Sequence, residues 1–124
     1  VVHEWKELFT ISNKETIIQN KIRVALSDYG IFFRANVGKV RMADGRYFDT
    51  GLPKGFSDLF GFRFADNKIC FVEIKTEIGK VRPDQVTFLK AMKAKGAVVG
   101  IARSVEDAIE LVTTGSNKST DVIL

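Results

Sequence analysis

Asp58, Glu73 and Lys75 are the residues of this 124-residue chain whose types and spacing could do chemistry. They lie in GFSDLFGFRFADNKICFVEIK, residues 55–75, where two apolar runs flank a short polar break. Both runs read as strands, and along a strand side chains alternate between faces. Glu73 and Lys75 therefore share a face with Ile69 and Phe71, while Cys70, Val72 and Ile74 point the other way, into the main core. Folding the pair about Asp66 and Asn67 sets Phe64 against Ile69, Phe60 against Glu73 and Asp58 against Lys75. An even-length loop is required, because a slip of one residue sends each side chain to the opposite face. The three charged groups then gather on one face at one end of a hairpin.

Two carboxylates beside an ammonium suit a hard divalent cation. Magnesium and manganese take oxygen ligands; Asp58 and Glu73 can supply two, and the backbone carbonyl of Ile74 a third. A cation held this way polarises a phosphoryl oxygen and lowers the pKa of water. Lys75 can steady the attacking water or the negative charge that grows on the phosphate. The plainer alternative is a Lys75–Asp58 ion pair at a sheet edge, which the E-x-K triplet alone favours. The acid near the start of the preceding strand shifts the balance towards a site.

The elements that must position these groups follow from local signals. Ser12 opens SNKE, a capping box, and Ile17, Ile18, Ile22, Ala25 and Leu26 recur at helical spacing, so a helix is expected from about Asn13 to Asp28, with Gly30 ending it in the left-handed conformation. The segment before it, VVHEWKELFT, fits either a short helix or a strand. IFFRA reads as a strand; VGKVRM and RYFDT read as a hairpin turning at Asp44-Gly45; GLPKG reads as a loop. Pro83 suits the first turn of a helix running to about Lys95 and stopped by Gly96. AVVGIA reads as a strand buried on both faces, and SVED as a second capping box opening a short helix with Ile109 and Val112 inward. The tail from Gly115 is polar until its last three residues and is expected to be partly mobile. The order is helix, several strands, helix, strand, helix: an α/β chain with a central mixed sheet flanked by helices.

Composition bounds the function. Hydrophobic residues make up 45% of the chain, enough for one modest core and a single domain spanning residues 1–124. One cysteine excludes an internal disulfide, and the single histidine, His3, excludes histidine-rich metal sites. No apolar run approaches membrane-spanning length and no signal peptide is visible, so the expected location is cytoplasmic and reducing, without a membrane partner. The net charge of +4 permits a polyanion partner. Lys39, Arg41, Arg46 and Lys54, with Lys80 and Arg82, form two basic loop sets that should flank the site and contact phosphates.

GLPKGFSDLFGF followed by FVEIKTEIGKVRPDQVTFLKAM resembles the VRR-NUC domains, virus-type replication and repair nucleases of the PD-(D/E)xK superfamily. The likeness rests on G-x-x-D, E-I-K and a glutamine ten residues after the lysine, Gln85; Ser57 stands where a proline is usual. It implies a restriction-endonuclease-like core and metal-dependent phosphodiester hydrolysis. By this resemblance Asp58 and Glu73 bind magnesium or manganese, Lys75 is the catalytic lysine and Gln85 supports the site from the next helix. Glu15 is given a place in the site, directly or through water; its own position equally suits a capping glutamate bonded back to Ser12. Asn36 and Gly38 match a glycine-containing segment where backbone approaches DNA. Stand-alone members form dimers reminiscent of junction resolvases, so a homodimeric endonuclease acting on four-way (Holliday) junctions or other branched DNA is expected, in a phage or bacterial cell. The alternative is a catalytically silent nucleic-acid-binding module of the same fold.

Overall fold

The computed structural model describes residues 2–124, with side chains from Lys14 onward. Helix α1 spans Val2–Leu26 and carries straight through the segment left open by the sequence. Ser12 thus lies inside a helix, where every backbone N–H already has an intrahelical partner, and the expected capping box has no terminus to cap. Ile22 and Leu26 are fully buried and Ile18 packs beside them, while Ile17 is exposed. The helix closes on tight i→i−3 bonds, among them Tyr29 N–H to the Leu26 carbonyl at 2.9 Å. These bonds need no left-handed residue, so Gly30 does not serve as its stop. Instead Gly30 opens the first strand, where a Cβ would collide with the Phe62 carbonyl oxygen on the neighbouring strand.

Four strands form the main sheet: β1 (Gly30–Arg34), β4 (Leu59–Arg63), β5 (Ile69–Ile74) and β6 (Val98–Ala102), in the order β1-β4-β5-β6. The pairs β1/β4 and β4/β5 are antiparallel, and β5/β6 is parallel, so the sheet is mixed. The carboxyl ends of β1, β5 and β6 therefore meet the start of β4 at one end of the sheet. Strands β2 (Lys39–Arg41) and β3 (Tyr47–Asp49) pair with each other as a separate antiparallel ribbon, turning at Gly45.

Helix α2 (Pro83–Ala94) links β5 to β6 and ends at Gly96; α3 (Val105–Thr114) starts at Ser104, whose side chain accepts the Asp107 N–H. One face of the sheet packs Leu59, Cys70, Val72, Ile74 and Val98 against α1 and α3, through Ile22, Leu26, Ala108, Leu111 and Val112. The other packs Phe71, Val99 and Ile101 against Leu89, Phe88 and Met92 of α2. All five residues of β6 are buried, as its unbroken apolar run requires.

The tail is docked, contrary to the expectation of mobility. A short helix α4 (Lys118–Asp121) lies against β6. Buried Asn117 donates to the Ile101 and Asp107 carbonyls at 2.9 and 2.8 Å, and buried Thr120 accepts the Ile101 N–H at 3.0 Å. Polar residues here satisfy backbone groups along the outer edge of β6, so polarity marks an edge cap rather than a loose end. Ile123 and Leu124 join the α2-side core. Among the described residues no helix is long and apolar enough to cross a membrane.

Candidate active site

The β4–β5 hairpin sets the site, in a register displaced by two residues from the expected one. Phe62 pairs with Ile69, Phe60 with Phe71 and Leu59 with Val72. The turn is pinned nearer its first strand: Arg63 N–H bonds the Lys68 carbonyl at 3.1 Å, Arg63 grips Asp66 through two side-chain bonds of 2.8 Å, and Asn67 takes a positive φ of 60°. A shift of two preserves every face, so Glu73 stays with Phe71 on the α2 side. It changes the neighbours: one step beyond Leu59–Val72, Asp58 comes level with Glu73 rather than with Lys75.

The two carboxylates consequently share one end of the sheet. Asp58 Oδ2 accepts the Ile74 N–H at 2.9 Å, and the Asp58 carbonyl accepts the Ala35 N–H at 2.8 Å, locking the acid between β1 and β5. Glu73 is 2% exposed. Its Oε1 accepts a 2.9 Å bond from Gln85 Nε2 and lies 3.8 Å from Lys75 Nζ; its Oε2 is buried with no partner. The Lys75 ammonium thus faces Glu73 rather than the Asp58 partner of the ion-pair alternative. Burial first, and then repulsion from Asp58, push the Glu73 carboxyl up to about 9, against a smaller opposing pull from Lys75 and Arg82.

Gln85 bridges two elements. Its Oε1 accepts the Arg82 N–H at 2.9 Å, closing the start of α2, while its amide holds Glu73. The loop before Asp58 is seated on the same helix turn. Gly55 has φ 92° and is buried so closely that a Cβ would strike the Asp84 carbonyl oxygen; Phe56 next to it packs edge-on against Phe60 and Phe71. Buried Ser57 bonds the Leu59 carbonyl at 2.8 Å. Gly55→Ala combines a left-handed backbone with a direct clash, so it should destabilise the fold by about 1–3 kcal/mol. Denaturant unfolding checks this: an unchanged midpoint would mean that the loop is not clamped on α2.

Glu15 joins the site from α1, and its capping alternative falls with the helix start. It lines a cavity of about 290 Å³ with Thr16, Gln19, Arg34, Ala35 and Asp58. Arg34 is the member that sequence reasoning missed. It ends β1 opposite Leu59 and so stands beside Asp58, a placement visible only once the β1–β4 pairing is known. A larger cavity of about 610 Å³ lies across the α1 turn, lined by Lys14, Ile17, Ile18, Thr76, Glu77, Ile78 and Arg103. It is mostly apolar and holds neither Asp58 nor Glu73, so size alone does not mark the chemistry. The loop after β5 that lines this larger cavity is tied down by Arg103, which donates to the Thr76 and Gly79 carbonyls at 2.6 and 2.7 Å.

The basic residues are only partly gathered. Arg82 pairs with Asp84 at 3.1 Å, and its charge reaches Glu73; Lys54 acts on the same Asp84. Lys80 and Asn36 are exposed near the site's connecting loops, while Lys39, Arg41 and Arg46 stand out on the ribbon, Arg46 bound to Asp44 at 2.7 Å.

Among the described residues no three His, Cys, Asp or Glu side chains cluster as a ready metal cage. Two carboxylates, one with a buried oxygen lacking a partner, nevertheless fit a cation that keeps most of its waters and takes further oxygens from a phosphate.

The family model described as the VRR-NUC domain matches residues 13–106. A solved structure described as a VRR-NUC domain superposes with a TM-score of 0.57 at 23% identity, over 80% of this chain and 94% of that one. No curated protein matches the chain.

Proposed function

This chain belongs to the VRR-NUC domain family, and on that premise we propose that it hydrolyses DNA phosphodiester bonds with magnesium or manganese held by Asp58 and Glu73. The observation that carries this reading is the carboxylate pair at the sheet end, with an orphaned Glu73 oxygen and the Lys75 ammonium 3.8 Å from its partner oxygen. The Ile74 backbone carbonyl would be the third protein ligand. When bound, the cation supplies Lewis-acid activation of phosphate and water.

The chain's own residues do the rest. Gln85 fixes the Glu73 carboxylate by its amide, leaving the second oxygen without a hydrogen-bond partner and available to a cation. Lys75 donates to the attacking water and to the negative charge that develops on the phosphate, from a position screened from bulk solvent. Glu15 orders water in the cavity it shares with Asp58, and Arg34 faces a phosphate oxygen there. Lys54, Lys80, Arg82, Arg41 and Asn36 hold flanking phosphates without selecting sequence.

One such site cuts one strand per event, so paired cuts at a branched substrate such as a four-way junction call for two copies about a two-fold axis. We therefore assign a homodimer acting in phage or repair-type DNA processing. Helix α2 packs on β5 and β6, and Ile31, Phe33 and Phe62 remain exposed on the rest of that sheet face, apolar surface available to a second copy. Ile123 and Leu124 at the end of the tail are used in the core and are not free for such a contact, and the side chains of VVHEWKELF lie outside the described residues.

Supercoiled plasmid and four-way junctions incubated with magnesium, manganese or chelator test the activity; light scattering tests the assembly. Metal-dependent nicking and paired junction cuts are the expected results. DNA binding without cleavage under any metal would leave only the silent binding module, and a strict monomer would remove the paired-cut proposal.

A further inference from the structure

Of the β2–β3 ribbon only Arg41 has so far been given a part, on a flanking phosphate, yet both of the ribbon's legs begin at the site. The chain leaves the main sheet at Arg34 and returns at Asp58, and the Ala35–Asp58 backbone bond of 2.8 Å closes its base. Its strands pair with each other and with no strand of the main sheet, and every residue from Lys39 to Asp49 is exposed. A lone two-stranded hairpin is marginally stable in water, which suits an element completed by a partner.

The register sorts its side chains. Arg41 lies opposite Tyr47 and Lys39 opposite Asp49 on one face; Val40 lies opposite Phe48 on the other, a cross-strand apolar pair that stiffens the hairpin. The Asp49 carboxylate is turned to the Gly51 N–H at 2.8 Å, and neither Lys39 nor Arg41 has an ion pair among the described residues. One face is thus cationic with an aromatic ring, and it projects from the start of the catalytic strand.

Resting on the nuclease reading above, we propose that this ribbon is a DNA arm that enters the major groove of the duplex adjoining the cut. The dimensions agree. A two-stranded ribbon fits a groove about 12 Å wide and about 8.5 Å deep. At about 3.3 Å per residue, the five steps from Lys39 to the tip at Asp44 reach about 16 Å. Lys39 and Arg41 contact the phosphates of the groove walls, and Tyr47 lies along the sugar and base edges. Because the ribbon's base is bonded to Asp58, a seated arm fixes the distance between the gripped duplex and the scissile phosphate. The arm therefore makes a duplex segment beside the cut part of the substrate, and single strands bind less well.

The test uses the whole chain in chelator, so that no cleavage is needed. Duplex and single-stranded DNA are titrated by fluorescence anisotropy across a salt series with wild type, a Lys39→Gln/Arg41→Gln variant and Tyr47→Ser. Guanine N7 methylation maps the major groove, and light scattering follows the mass. The double variant should lose at least about tenfold in duplex affinity, and its salt slope should fall by about 1.8, the share of two phosphate contacts. Both variants should lose N7 protection next to the cut, with smaller losses on single strands and unchanged melting temperatures. Unchanged slope and protection would overturn the arm. So would an altered mass with unchanged duplex affinity, which would make the ribbon a contact between copies. Wild type that binds no DNA at all would sink the nuclease reading with it, whereas wild-type binding unaffected by the variants sinks only the arm.

Discussion

Lys75→Ala should all but abolish DNA cleavage, with a loss of about 10²–10³-fold in the single-turnover rate, while the fold persists. Among the described residues the ammonium is the one cation paired with this carboxylate pair, 3.8 Å from Glu73 Oε1, and its side chain is only 13% exposed. A donor in such a screened position acts on developing charge without reorganising at the moment of reaction, and removing one such donor commonly costs about 10²–10³-fold. Removing Lys75 also withdraws a charge that favours ionised Glu73, so metal affinity at neutral pH should fall, though less than when either carboxylate is removed. The alanine leaves Asp58, Gln85 and the backbone bonds of Ile74 in place, so the melting temperature should stay near wild type. Cleavage of plasmid at a rate close to wild type, with folded protein, would show that Lys75 is a structural ion-pair partner and nothing more.

Glu73→Gln should be inactive, should bind magnesium or manganese at least about tenfold more weakly, and should nevertheless be more stable than wild type without metal at alkaline pH. The sign follows from linkage. Burial and Asp58 raise the folded carboxyl from 4.5 to about 9. Between those values the unfolded chain has released a proton that the folded chain still holds, so wild-type stability falls as pH rises through that window. An amide has the shape of the protonated acid, keeps an oxygen for the Gln85 amide and does not titrate, so the variant loses this slope. Thermal unfolding in chelator from pH 5 to 9 should show wild type losing ground steadily and the variant holding level by comparison. Parallel pH profiles would mean that Glu73 is ionised and solvated in the folded protein, and the buried-pair description would fail. The same linkage requires wild type to release a proton on taking up metal at pH 7.

How much of this was legible beforehand depended on the range of the forces involved. Alternation along residues 69–75 placed Glu73 and Lys75 on one face and Cys70, Val72 and Ile74 on the other, and the structure keeps that division. Pro83, Gly96 and Ser104 marked the ends of α2 and α3 because capping and φ preferences act within one helical turn. The apolar run at residues 97–102 read as a strand covered on both sides, and β6 is buried throughout. The resemblance carried by G-x-x-D, E-I-K and Gln85 implied the nuclease-type fold, and the structure brings those side chains together.

Local signals failed where two competed or where distant contacts decided. Ser12 and Glu15 form a good capping box, but a box stabilises only a helix that starts there; α1 already runs from Val2, and Glu15 is released to line the Asp58 cavity. Two even-length registers satisfy the same alternation in the β4–β5 hairpin. The Arg63–Asp66 clamp and the left-handed Asn67 select the one that sets carboxylate beside carboxylate. Arg34 is an ordinary strand-end arginine until β1 pairs with β4. The tail is polar in sequence because its partners, Ile101 and Asp107 backbone groups, come from elements 10–19 residues away. Sequence alone therefore determined most of the elements, the buried face of β5 and the Asp58, Glu73 and Lys75 trio, all set by short-range sterics and hydrophobic period, while Gln85 and Glu15 came from the family resemblance. Tertiary structure decided which carboxylates face each other, and hence the raised Glu73 pKa and its unsatisfied oxygen, because desolvation and charge repulsion depend on neighbours that only the assembled sheet supplies.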